Sequence, residues 1–147
     1  MEHVKYDMRL IYAIMSGRVS GAINNRLRRN FKLYDLDITP EEWMVLNCLW
    51  KEDKKSQQQL CQEVLREKPY MSRLIDRMVD RKLVVRLISF KDKRINRVCL
   101  AQKGREIEEK VHFVANKTLK EVLRGLSQEE LDVCQESLRI VFNNSKS

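Results

Sequence analysis

Apolar positions recur every three or four residues along most of the chain, and this helical rhythm gives way to a strand pattern only once. From the N-terminal side, Met8, Ile11, Tyr12, Met15, Val19, Ala22, Ile23, Leu27 and Phe31 keep the rhythm, which predicts one long helix with a single apolar stripe. At 1.5 Å per residue it would run roughly 35 Å, more than a small core needs, so the stripe implies a partner. Thr39, Pro40 and Glu42 then read as N-cap, first helical residue and capping-box partner, ahead of Val45, Leu46, Leu49 and Trp50. Ser56 and Gln59 repeat the box before Leu60, Cys61, Val64 and Leu65. Pro69 opens a third short helix carrying Met71, Leu74, Ile75 and Met78.

The rhythm changes at Leu83 to Phe90, rich in Val, Leu and Ile, and resumes as alternation in Ile95 to Leu100 after Lys91-Asp92-Lys93-Arg94. These two runs predict a β-hairpin with a charged tip. Helical spacing returns with Ile107, Val111, Val114, Thr118, Leu119 and Val122, ending near Gly125. A capping box of Ser127 and Glu130 opens a last helix with Leu131, Cys134, Leu138 and Val141. The expected fold class is mainly α with a small β-hairpin wing, a helix-turn-helix followed by a hairpin between longer helices.

Composition agrees with that outline. In 147 residues, 43% are apolar, enough for a core, while 4 Gly and 2 Pro supply too little turn chemistry for a many-stranded β fold. Met1 to Asp7 is charged, and apolar runs such as Leu10 to Gly17 and Trp43 to Trp50 fall far short of the roughly 20 residues that cross a bilayer. We therefore expect a cytoplasmic protein with no membrane partner. Cys48, Cys61, Cys99 and Cys134 are widely spaced and form no CxxC pair, so reduced thiols acting as small hydrophobes are expected. With only His3 and His112, and no metal, phosphate-loop or nucleophile motif, the chain reads as a non-enzyme without metal or cofactor. His112, between Val111 and Phe113, suits an interface or a partly buried position.

Charge narrows the picture further. Between Arg66 and Arg97, eleven Lys or Arg stand against four Asp or Glu, a surplus of seven that accounts for nearly all of the chain's +8. The basic character is thus confined to the third short helix and the hairpin, as in an electrostatic footprint for a polyanion. With 71, 74, 75 and 78 facing inward, Tyr70, Arg73, Arg77 and Arg81 fall outward, with Lys68, Pro69 and Ser72 near the helix start. Such a helix end suits the major groove, where Arg reads guanine with two hydrogen bonds and the N-terminal N–H groups approach phosphate. Lys91, Lys93 and Arg94 at the hairpin tip supply a second contact, to phosphates or a minor groove. Binding of RNA or of a protein partner is the alternative, but the footprint holds only Tyr70 and Phe90 as aromatic platforms for unpaired bases.

The order of elements and the residues themselves resemble the MarR family of winged-helix transcription regulators. The similarity is most specific in Ser56 to Leu100: Leu60 and Val64, Ser72-Arg73-Leu74 with Asp76-Arg77-Met78, Leu83-Val84 with Arg86, Asp92-Lys93-Arg94, and then Arg97-Val98-Cys99-Leu100 before Lys103-Gly104. The resemblance implies a single MarR-like domain over 1–147, with a winged-helix DNA-binding lobe at about 36–100 and a helical dimerisation region at about 5–34 and 101–144. It implies a homodimer facing a palindromic operator in double-stranded DNA, a repressor released by a small-molecule effector. Recognition would fall to Pro69 through Arg77 and minor-groove contact to Arg94, while Asp92 shapes the wing. Tyr12, Met15, Trp43 and Met44 are the effector-pocket candidates. The chain departs from the family at Leu65 and Lys82, where Gly is usual, and at Ala101, where Thr is usual.

Overall fold

The computed structural model describes residues 5, 7–88 and 96–146. Two helices, α1 (Met8–Met15) and α2 (Arg18–Leu33), occupy the stretch expected to form one. The break lies at Gly17, whose φ of 64° is left-handed, and Ser16 closes the first helix by donating its N–H to carbonyls of α1. A glycine takes this backbone without a Cβ penalty, so an otherwise continuous apolar stripe is interrupted. Neither Met8 nor any other residue of α1 is buried, whereas α2 buries Leu27, Asn30 and Phe31.

The next helices begin where their caps direct. Helix α3 (Pro40–Lys51) has Thr39 as N-cap with both hydrogen bonds of a capping box, and α4 (Gln57–Val64) has the same arrangement at Ser56 and Gln59. Between them lies the two-residue strand β1 (Lys55–Ser56). Helix α5 (Lys68–Asp80) starts one residue before Pro69 and buries Met71, Leu74, Ile75 and Met78, the four residues expected inward. Strands β2 (Val84–Ile88) and β3 (Asn96–Leu100) pair antiparallel from Val84↔Leu100 to Ile88↔Asn96, and β1 joins the far edge of β3 through Lys55↔Val98. The sheet order is β1-β3-β2.

Three more helices complete the chain: α6 (Gln102–Glu106), α7 (Glu108–Val122) and α8 (Gln128–Asn144). Helix α7 packs on α2, where the Asn30 amide donates to the Thr118 hydroxyl at 2.8 Å inside the core. Trp50 of α3 ties the two halves together: its indole N–H donates to the Gly104 carbonyl at 3.0 Å, and its ring meets the half-buried His112 edge-on at 5.0 Å. Gly104 is obligatory there, because a Cβ would stand 2.3 Å from the Leu83 carbonyl oxygen. Helix α8 carries a complete capping box at Ser127 yet buries no residue against its own chain. Val133, Leu138, Ile140 and Val141 on it are exposed, as are Leu10, Tyr12, Ile14 and Met15 on α1.

Two non-glycine residues sit in left-handed backbone next to the basic helix: Leu65 at φ 55° and Lys82 at φ 62°. These are the two positions at which the sequence departs from the glycine usual in MarR proteins. A side chain in this left-handed backbone carries strain of about 1 kcal/mol at each position.

Candidate nucleic-acid interface

Helix α5 presents its two long edges very differently. Its apolar edge is sealed against Leu60, Leu83, Val84 and Val98, while Lys68, Pro69, Arg73 and Arg77 are exposed. Lys68, Arg73 and Arg77 make no hydrogen bond or ion pair among the described residues, so their charges are available to an outside ligand. The Glu67 side chain at the N-cap accepts no capping hydrogen bond and the first turn carries no acid, so the N–H groups of that turn have no side-chain cap, though the Glu67 carboxylate stands beside them.

Ser72 and Tyr70 are placed less openly than their sequence positions imply. Tyr70 is half-buried against the core, with the Arg66 guanidinium 4.8 Å over its ring, and burial pushes its hydroxyl pKa up. The Ser72 hydroxyl accepts a 2.7 Å hydrogen bond from the Gln57 amide. Gln57 in turn accepts from Arg86 at 3.1 Å, and Arg86 donates to Asp76 at 2.7 Å. At its C-terminus α5 is held by Arg81, which hydrogen-bonds the Asp37 carbonyl and places Nε 2.9 Å from the fully buried Glu42 carboxylate. That ion pair is close but its N–H does not point along the contact.

A cleft of about 810 Å³ runs between the start of α4, the start of α5 and the two wing strands, lined by Ser56, Gln57, Gln58, Gln59, Cys61, Lys68, Arg86, Asn96 and Arg97. Among the described residues its lining holds three cations and no carboxylate. Arg97 is oriented by donating to the Lys54 carbonyl at 2.9 Å, and Asp53 supports the same corner by accepting from the Leu100 N–H at 2.9 Å. The sequence reading gives Gln57, Gln58 and Arg97 no contact role, since their place beside α5 depends on β1 pairing with β3 far along the chain.

The wing residues Lys91, Asp92, Lys93 and Arg94 lie outside the described residues. The effector candidates stand on two elements. Tyr12 and Met15 are exposed on α1, whereas Trp43 and Met44 are half-buried on α3, where the Trp43 indole N–H is buried without a partner among the described residues. Among the described residues no helix is long and apolar enough to cross a membrane.

Comparison with known proteins matches this architecture. Residues 38–95 match the model of the MarR family. A MarR-like transcription regulator from Bacillus cereus ATCC 10987 superposes with a TM-score of 0.72 at 23% identity, over 94% of this chain and 97% of that one. A mutant of MarR from E. coli, solved with operator DNA, gives 0.74 at 23% identity over 95% and 99%. An organohalide-sensing transcriptional regulator, solved with 2,4-dichlorophenol bound, gives 0.79 at 17% identity over 96% and 83%. The likeness extends well beyond the matched segment, into the helices on either side of it.

Proposed function

We propose, from the premise that residues 38–95 are a MarR-family segment within a chain of MarR winged-helix fold, that the protein is a dimeric, sequence-specific DNA-binding transcription regulator of the cytoplasm. The observation that carries this reading is α5, sealed on one edge and bearing on the other Lys68, Arg73 and Arg77, which have no hydrogen-bond or ion-pair partner among the described residues. A regulator of this kind needs two such helices about one turn of DNA apart, roughly 10 base pairs, and a palindromic operator then mirrors the dimer's two-fold axis. The exposed apolar residues of α1 and α8 supply a surface for the second copy. In this arrangement 36–100 form the DNA-binding lobe and 5–34 with 101–144 the dimerisation region of one domain. Lys91, Lys93 and Arg94 add wing contacts, with Asp92 shaping the tip. The same reading makes the protein a repressor released by a small-molecule effector; the similar regulator solved with a chlorophenol bound supports only the small-molecule part, for which Tyr12, Met15, Trp43 and Met44 are the proposed lining.

Fluorescence anisotropy on a selected palindromic duplex and a scrambled one, across a salt series, tests the reading. Arg73→Ala is expected to cost about 1–3 kcal/mol on the selected duplex and to relax sequence preference. Equal binding of both duplexes by the wild type, Arg73→Ala and Arg77→Ala would refute it.

A further inference from the structure

We infer that Arg86 is a positioning residue for DNA reading, one that sets the rotation of α5 through Asp76 and Gln57 without itself needing to touch DNA. The inference rests on the DNA-binding reading above. Arg86 extends from β2 on the inner face of the sheet, and its guanidinium donates to Asp76 of α5 at 2.7 Å and to Gln57 of α4 at 3.1 Å. Gln57 passes the link on to the Ser72 hydroxyl at 2.7 Å. One side chain therefore ties the wing strand, the first turn of α4 and the basic helix together. A guanidinium is suited to this because its planar fork holds two acceptors at once, which an ammonium on a flexible stem does not.

The two anchor points on α5 matter by their spacing. Ser72 and Asp76 are four residues apart and lie on one face, so fixing both fixes rotation about the helix axis as well as tilt. Arg73 and Arg77 follow each of them by one residue, about 100° further round the helix. A clamp on the first pair thus decides where the second pair points. Asp76 itself is 70% exposed on a helix offered to a polyanion, where a carboxylate opposes binding. Its partnership with Arg86 gives the charge a reason to be there.

Coulomb repulsion and positioning predict opposite results for Asp76→Asn, and this decides between them. The experiment measures affinities for a selected operator duplex and a scrambled duplex by anisotropy, with thermal midpoints recorded to show each variant folded at the assay temperature. Positioning predicts that Asp76→Asn lowers the ratio of operator to scrambled affinity by about tenfold, although the variant has lost a negative charge. Gln57→Met, which changes no charge, is expected to lower the ratio in the same direction. Arg86→Met combined with Asp76→Asn is expected to lose no more preference than Arg86→Met alone. Tighter binding of Asp76→Asn to both duplexes with the ratio intact overturns the inference. So does an Arg86→Met variant that weakens both duplexes equally and reduces the salt slope by about one, the mark of a direct phosphate contact. A wild type that prefers neither duplex removes the DNA reading and the inference together, and is distinguished by needing no variant.

Discussion

Lys55 brings its charge to the inner face of the sheet, 7% exposed, and meets it with the Glu63 carboxylate of α4. The hydrogen bond from Lys55 holds the Glu63 carboxyl below its ordinary pKa against a smaller opposing effect of burial, and the same bond raises Lys55. A carboxyl depressed in the fold stabilises it above the unfolded carboxylate value, near 4.3, and that stabilisation is lost as pH falls through the folded value. The gap in thermal midpoint between wild type and Glu63→Gln is therefore expected to be full at pH 7 and to close on acidification toward pH 3. A gap independent of pH would show that the pair is not ionic. Glu63 also hydrogen-bonds Cys48, whose thiol is pushed up to about 11, first by burial and then by this acid. At pH 8 about one thiol in a thousand is then ionised, and burial also raises Cys61 and Cys99. Mild peroxide is accordingly expected to leave operator affinity unchanged and to add no oxygen to Cys48, as read by anisotropy and intact mass.

At the level of elements, the turns around α5 carry strain that the sequence can be made to release. Leu65 is left-handed and 57% exposed, so Leu65→Gly relieves backbone strain while losing little packing. A gain of about 0.5–1 kcal/mol in urea unfolding is expected, reduced by the greater freedom glycine brings to the unfolded chain. A loss instead would mean the exposed side chain is covered by something in solution. The starts of α3, α4 and α8 were legible in the sequence because a capping box is a contact between residues three apart. The buried edge of α5 was legible because its period is local too. Three features were not. The break at Gly17 hides within an apolar spacing that continues across it, and one glycine inside a helical pattern carries little information by itself. Strand β1 is two residues long and exists only through pairing with β3, over forty residues away. The partnership of Ser72 with Gln57 and Arg86 spans three elements, so a residue expected among the contacts near the helix start is engaged inside the protein.

On the scale of the whole molecule, the chain divides its apolar residues between a core it closes itself and a surface it leaves open. Phe31, Leu46, Leu60, Met71, Ile75 and Val98 are sealed together, while Val133 on α8 is 66% exposed and Met15 on α1 77%. Light scattering is expected to give twice the chain mass of 17.6 kDa at micromolar concentration. Leu138→Asp is expected to shift the mass toward one chain and to abolish operator binding while leaving the lobe folded by circular dichroism. A dimer that survives it would place the interface elsewhere. Helix α8 gives the open surface a further meaning. A 17-residue helix with no fully buried residue, only Leu131 and Phe142 being half-buried, gains little from its own chain, and helical stability in proteins comes mostly from packing. If the proposed second copy covers α8, dilution that separates the two chains is expected to open this helix to limited proteolysis before the rest of the fold, and equal cleavage at every concentration would show that nothing covers it.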